Sequence, residues 1–326
     1  MNALEESEAT GEWFAARWHL TRLLLDKPAD PALLGRRGDA SARLREWEKA
    51  AADYEAALGS KPDREFSKRL TQARIELRQF DKAVEQASLG IQNAADDVTL
   101  HMARAEAYAA WKNWDAAAAD LEMAAELNPK NPSILQRLAG VRVKQGRHDD
   151  YIALAKKLVE RFGHDEGYAS IVAWACALQP DSGNAPEDIV KLARFGLTDD
   201  PDSFYSLNTL GAALYRAGHF QEAIDQIAIS RRAYTQAASA AELRGDTDAA
   251  WLMPQQDGRP SDWLFLAMAN HQLGNATEAK VWLGKAQTAL ASENIRDPRR
   301  MWSRIELELL MDEATRLLAD KDKASP

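Results

Sequence analysis

Three stretches of this chain write nearly the same helix: EWEKAAADYEAALGSKP at 46–62, NWDAAAADLEMAAELNP at 113–129 and HFQEAIDQIAI at 219–229. With Ala50 as a marker, equivalents fall at Ala16, Ala83, Ala117, Tyr151, Ile189, Ala223 and Ala279. The successive spacings are 34, 33, 34, 34, 38, 34 and 56. A period this regular is the signature of a solenoid, in which each unit is a helical hairpin that buries its apolar face only against its neighbours.

The rest of the unit follows from the marker. Four residues on lies a core side chain: Leu20, Tyr54, Ala87, Leu121, Ala155, Ala193, Ile227 or Leu283. Three further on there is often a small residue, as at Ala57, Gly90, Ala124, Gly196 and Ala286. This i, i+4, i+7 set is one helical face. Twelve residues before the marker, a first helix needs a small side chain for close approach; Gly38, Thr71, Ala105, Ala139, Gly211 and Ala267 stand there. Pro28, Pro62, Pro129 and Pro201 close units, since proline ends a helix but cannot continue one. Trp47, Phe80, Trp114 and Phe220 recur at the entry to second helices, where an aromatic seals the turn.

The pattern predicts an all-α chain. A partial unit covers 1–30, and units lie near 31–63, 64–97, 98–131, 132–165, 166–203 and 204–237. An insertion at 238–259 precedes a last unit at 260–293 and a capping helix with tail at 294–326. The 38-residue spacing places four extra residues in the QPDSGNAP turn at 179–186, and AASAAELR extends the helix before the insertion. Residues 301–320, with Trp302, Ile305, Leu309 and Leu310 at helical spacing, predict an amphipathic cap over the last hairpin.

TLGAALYRAGHFQEAI at 209–224 resembles the tetratricopeptide-repeat consensus in Leu207, Leu210, Gly211, Tyr215, Gly218 and Ala223. Trp263, Leu266 and Ala267 match it at the tryptophan, leucine and small positions, and the resemblance spans about residues 12–293. It implies a right-handed superhelix of about seven hairpins whose concave groove, lined by first helices, receives a protein or peptide. More narrowly, RWHLTRLLLDKPADPALLGRRGDA and DWLFLAMANHQLGNATEAKVWLGKA look like repeat regions of bacterial serine/threonine kinase or WD40 proteins. That likeness implies a scaffold or adaptor in a bacterial assembly or signalling system, with a kinase or WD40 protein as a possible associate. The sequence itself has no glycine-rich phosphate loop, HRD-type or DFG-type segment.

Groove positions carried over from the family give early cations, Arg36, Arg43, Lys68, Arg69 and Arg137, beside Asp39 and Gln72. Later positions give Trp174, Tyr205, Asn208, Tyr215, Phe265 and Met268. Guanidinium groups bind carboxylates through paired hydrogen bonds and aromatics supply contact area, so the expected guest has acidic and apolar parts. The asparagine-and-lysine carboxylate clamp of chaperone-binding members is not reproduced, with Gly35, Asp39 and Gln72 at its positions.

A net charge of −9 disfavours a general polyanion-binding role. The alternative is a nucleic-acid-binding array using the basic stretch within 61–82, which holds Lys61, Arg64, Lys68, Arg69, Arg74 and Arg78. Six scattered histidines lack metal-ligand spacing, and the lone Cys176 sits on an apolar helical face, so neither a metal site, a cofactor nor catalysis is expected. The N-terminus has no apolar leader and no run approaches membrane-spanning length, which predicts a cytoplasmic protein.

Overall fold

The computed structural model describes residues 3–60, 62–245, 257–292 and 301–322. Among these there are helices and turns and no strand. Two compact units divide the chain, residues 1–129 and 130–326. The first contains α1 (Ala3–Ala9), α2 (Trp13–Asp26), α3 (Pro31–Arg43), α4 (Trp47–Ser60), α5 (Arg64–Glu76), α6 (Phe80–Asn93), α7 (Val98–Ala110) and α8 (Trp114–Leu127). The second contains α9 (Pro132–Lys144), α10 (His148–Phe162), α11 (Glu166–Ala177), α12 (Pro186–Asp199), α13 (Phe204–Arg216), α14 (Phe220–Leu243), α15 (Pro260–Gln272), α16 (Ala276–Leu290) and α17 (Met301–Asp322).

Every marker residue is the fourth of its helix, and all eight are buried, from Ala16 in α2 to Ala279 in α16. The small residues of the first helices are each the eighth of theirs, with Ala173 filling that place in α11. These two positions set the closeness of each hairpin. A Cβ on Gly38 would lie 2.6 Å from the Tyr54 ring, and one on Gly211 would lie 2.5 Å from Cγ1 of Ile227. Both contacts are with the core residue four after the marker. The seam is closed.

First helices begin on a polar side chain that accepts the orphan N–H groups of their opening turn. Asp30, Asp63, Asp97, Asn131, Asp165 and Ser203 do this for α3, α5, α7, α9, α11 and α13. Second helices, α8 with its Asn113 cap included, start from the turn. Except before α12, the residue two before each has a left-handed backbone: Gly11, Arg45, Arg78 and Lys112 in the first unit, Gly146, Gly218 and Gly274 in the second. Its N–H and the next return to carbonyls of the first helix, as Gly146 to Val143 and Arg147 to Arg142 do, which completes a Schellman cap. Trp47 and Phe80 then pack on the clusters around Ala50 and Ala83.

Two ion pairs repeat at equivalent places in the first unit. Arg37 grips Asp53 and Arg104 grips Asp120, each through two hydrogen bonds, and both carboxylates are buried. In the second unit the four extra residues lie between α11 and α12, and α14 runs on to Leu243, through most of AASAAELR. Most of the expected insertion, residues 246–256, lies outside the described residues.

Helix α15 is buried from Pro260 to His271, because α13, α14, α16 and α17 all pack on it. Its one fully buried carboxylate, Asp262, is satisfied by Asn208 Nδ2 at 2.8 Å, Ser230 Oγ at 3.0 Å and the Arg259 N–H at 2.7 Å. Burial raises its pKa.

Candidate functional site

In the first unit, side chains from α1, α2, α3 and α5 surround a cavity of about 390 Å³. Its lining is Glu8, Trp13, Arg36, Asp39, Ala42, Arg43 and Arg69. The Arg36 guanidinium takes Glu8 in a two-point pair at 3.0 and 2.5 Å. Asp39 accepts from the Tyr54 hydroxyl at 2.9 Å and is paired with Arg69, which also donates to Glu65 at 3.0 Å. Arg43 lies over the Trp13 ring, 5.4 Å from its centroid. The carboxylates hold the guanidinium groups in place and raise the Arg36 and Arg69 pKa values further. Three guanidinium groups thus face two carboxylates around one indole.

The corresponding face of the second unit is filled by the chain itself. Helix α17 packs on α15 and α16 and then on α9, three hairpins upstream of α15. The expectation of a cap on the last hairpin is met only at one side of this helix. On the other side Glu306 accepts from Gln136 at 2.6 Å and from Trp174, Glu308 accepts from Lys144 at 2.9 Å, and Glu313 is gripped by Arg216. Arg137 lies 5.3 Å over the Trp302 ring, and Ile305 sits against Gly140. Trp174 and Tyr215 stack edge-on to Phe265.

The sequence-expected groove residues therefore separate. Arg36 and Arg69 come together at the cavity, and Lys68 lies beside them, paired to Glu65 at 2.9 Å. Arg137, Trp174 and Tyr215 belong to the α17 seat, where Tyr215 has its hydroxyl pushed up to about 12 by burial. Asn208 is fully buried on Asp262 and presents nothing to a guest. Tyr205 is 62% exposed and lies under Arg259, whose guanidinium is 4.6 Å from its ring centroid. The cavity residues that sequence reasoning missed are Glu8, Trp13 and Ala42; Trp13 shares the entry position of Trp47, and that shared position was the available signal.

Several cations of the basic stretch are paired with carboxylates. Arg64 pairs with Asp97, Lys68 and Arg69 with Glu65, and Arg74 with Glu55, while Arg78 is exposed in a turn. Lys61 lies outside the described residues. Cys176 is buried and burial pushes its thiol up to about 12, which keeps it protonated near neutrality. Among the described residues no group of His, Cys, Asp and Glu could hold a metal ion, and no helix is long and apolar enough to cross a membrane.

Solved structures share this architecture. A tetratricopeptide repeat protein from Parabacteroides merdae matches 84% of the chain and 98% of its own length, at 10% identity and a TM-score of 0.55. Yeast Tom70 matches 98% of the chain and 63% of its own length, at 14% identity and a TM-score of 0.51. No protein-family model and no curated protein matches the sequence. The shared fold, with its consecutive packed helix pairs, is that of tetratricopeptide-repeat solenoids.

Proposed function

From a tetratricopeptide-repeat fold with a polar cavity on one unit and a filled face on the other, we propose a non-catalytic adaptor that holds a protein segment at the first unit. The observation that carries this reading is the cavity lined by Arg36, Arg43 and Arg69 around Trp13. A guest carboxylate there replaces Glu8 or Asp39 on guanidinium groups already oriented for two-point bonding. A flat apolar group beside it gains contact with the indole. The guest is an acidic segment with an apolar neighbour. Resemblance to repeat regions of bacterial kinase and WD40 proteins supports a bacterial assembly or signalling setting, and a lone protonated thiol suits a reducing cytoplasm.

Selection from a displayed random-peptide library tests the reading. The native chain is expected to enrich Asp- or Glu-containing peptides with a neighbouring apolar residue, and Arg36→Glu/Arg69→Glu to lose that enrichment at least tenfold. Indistinguishable peptide sets from the two chains would reject the site.

A further inference from the structure

Helix α17 has the relation to the second unit that a bound peptide has to a receptor. Its first two turns and its middle present Trp302, Ile305, Glu306, Glu308 and Glu313 to α9, α11 and α13. The receiving side chains are cationic or amide-bearing: Arg137, Lys144, Arg216 and Gln136. Charge complementarity is therefore built in, with acids on the occupant and bases on the seat. Ten residues separate Leu290 from Met301, whereas three separate α15 from α16.

The resident also fits imperfectly. The Trp302 indole N–H is buried without an acceptor among the described residues. Glu306 carries a carboxyl that burial raises to about 7 despite Gln136 and Arg137 from α9, Trp174 from α11 and Arg259 at the start of α15. A buried donor without an acceptor and a desolvated carboxyl both weaken seating. A helix lacking these two faults competes from an advantage.

We infer that the face formed by α9, α11 and α13 is a second binding site, taking an acidic amphipathic helix from another protein in exchange for α17. The recognised pattern is an aromatic followed by a branched aliphatic three residues later, with carboxylates placed to meet Lys144 and Arg216. This site is separate from the first-unit cavity and does not depend on it.

The probe is a labelled synthetic peptide of residues 301–322 carrying Glu306→Gln, read by fluorescence anisotropy against the full chain. In the native chain the resident competes with the peptide as an intramolecular occupant. The full chain with Glu308→Lys and Glu313→Lys, which loosens the resident, is expected to bind the peptide at least tenfold more tightly and to stay monomeric. Equal affinity for the two chains overturns the proposal. So does a dimer that excludes the peptide, since the occupant is then a second copy. Hydrogen exchange on the native chain covers the case in which the variant does not fold. Opening of α17 with α9–α16 still protected supports the exchange, and loss of protection in all of them together overturns it.

Discussion

Arg216 and Glu313 stand ninety-seven positions apart and meet as a two-point ion pair with only 7% and 14% of their side chains exposed. Arg216 also donates to the Ala177 carbonyl at 2.9 Å, so one guanidinium ties α13 to α11 and α17. Removing one partner of such a pair strands a buried charge. Arg216→Ala is expected to destabilise the second unit by about 3–5 kcal/mol, and Arg216→Met with Glu313→Leu by much less. Urea denaturation of the two chains checks the difference.

Glu306 makes seating of α17 depend on pH. Burial pushes its carboxyl up from the ordinary 4.5 to about 7. A raised carboxyl pKa favours the protonated, folded form, so the cost is absent below about pH 4.5 and complete above about pH 7. Relative to Glu306→Gln, stability falls through that window by about 3 kcal/mol. Melting temperatures of both chains at pH 5 and pH 8 test this; the same gap at both values contradicts it.

The left-handed residues of the first unit carry a strain that the second unit avoids. Arg45, Arg78 and Lys112 hold φ near +60°, where Gly146, Gly218 and Gly274 stand in later hairpins. An L-residue there costs about 1–2 kcal/mol, partly offset by the greater freedom glycine has when unfolded. Arg78→Gly is expected to stabilise the chain by up to about 1 kcal/mol, seen as a raised melting temperature, and Gly218→Ala to lower it.

Close approach at Gly211 predicts a coupled pair. Gly211→Ala puts a methyl 2.5 Å from Ile227 Cγ1 and is expected to cost about 1–3 kcal/mol. Ile227→Ala removes Cγ1 altogether, and together the two substitutions should cost less than their sum. A double-mutant cycle by chemical denaturation measures the coupling.

The hairpins were legible because Ala50, Ala83, Ala117 and their equivalents must be small or fitted at one fixed helical position, and burial enforces that position every time. The candidate site was legible only in part. Arg36 and Arg69 show their face through family position, but Glu8 reaches Arg36 from a seven-residue helix whose placement no period encodes. Asn208 misleads because a polar residue satisfied inside, here by Asp262, has the same letter as one turned to solvent. Trp302 and Ile305 announce an apolar face without saying which surface it meets, and Gln136 bonds Glu306 across 170 positions.

The return of α17 to α9 bears on how this chain can evolve. A stack in which each hairpin meets only the next tolerates duplication or loss of a copy, because every junction is alike. In the second half, one copy more or fewer would carry Glu308 past Lys144 and Glu313 past Arg216. The copy number there is held by a clasp, and variation in array length among relatives should fall before residue 130.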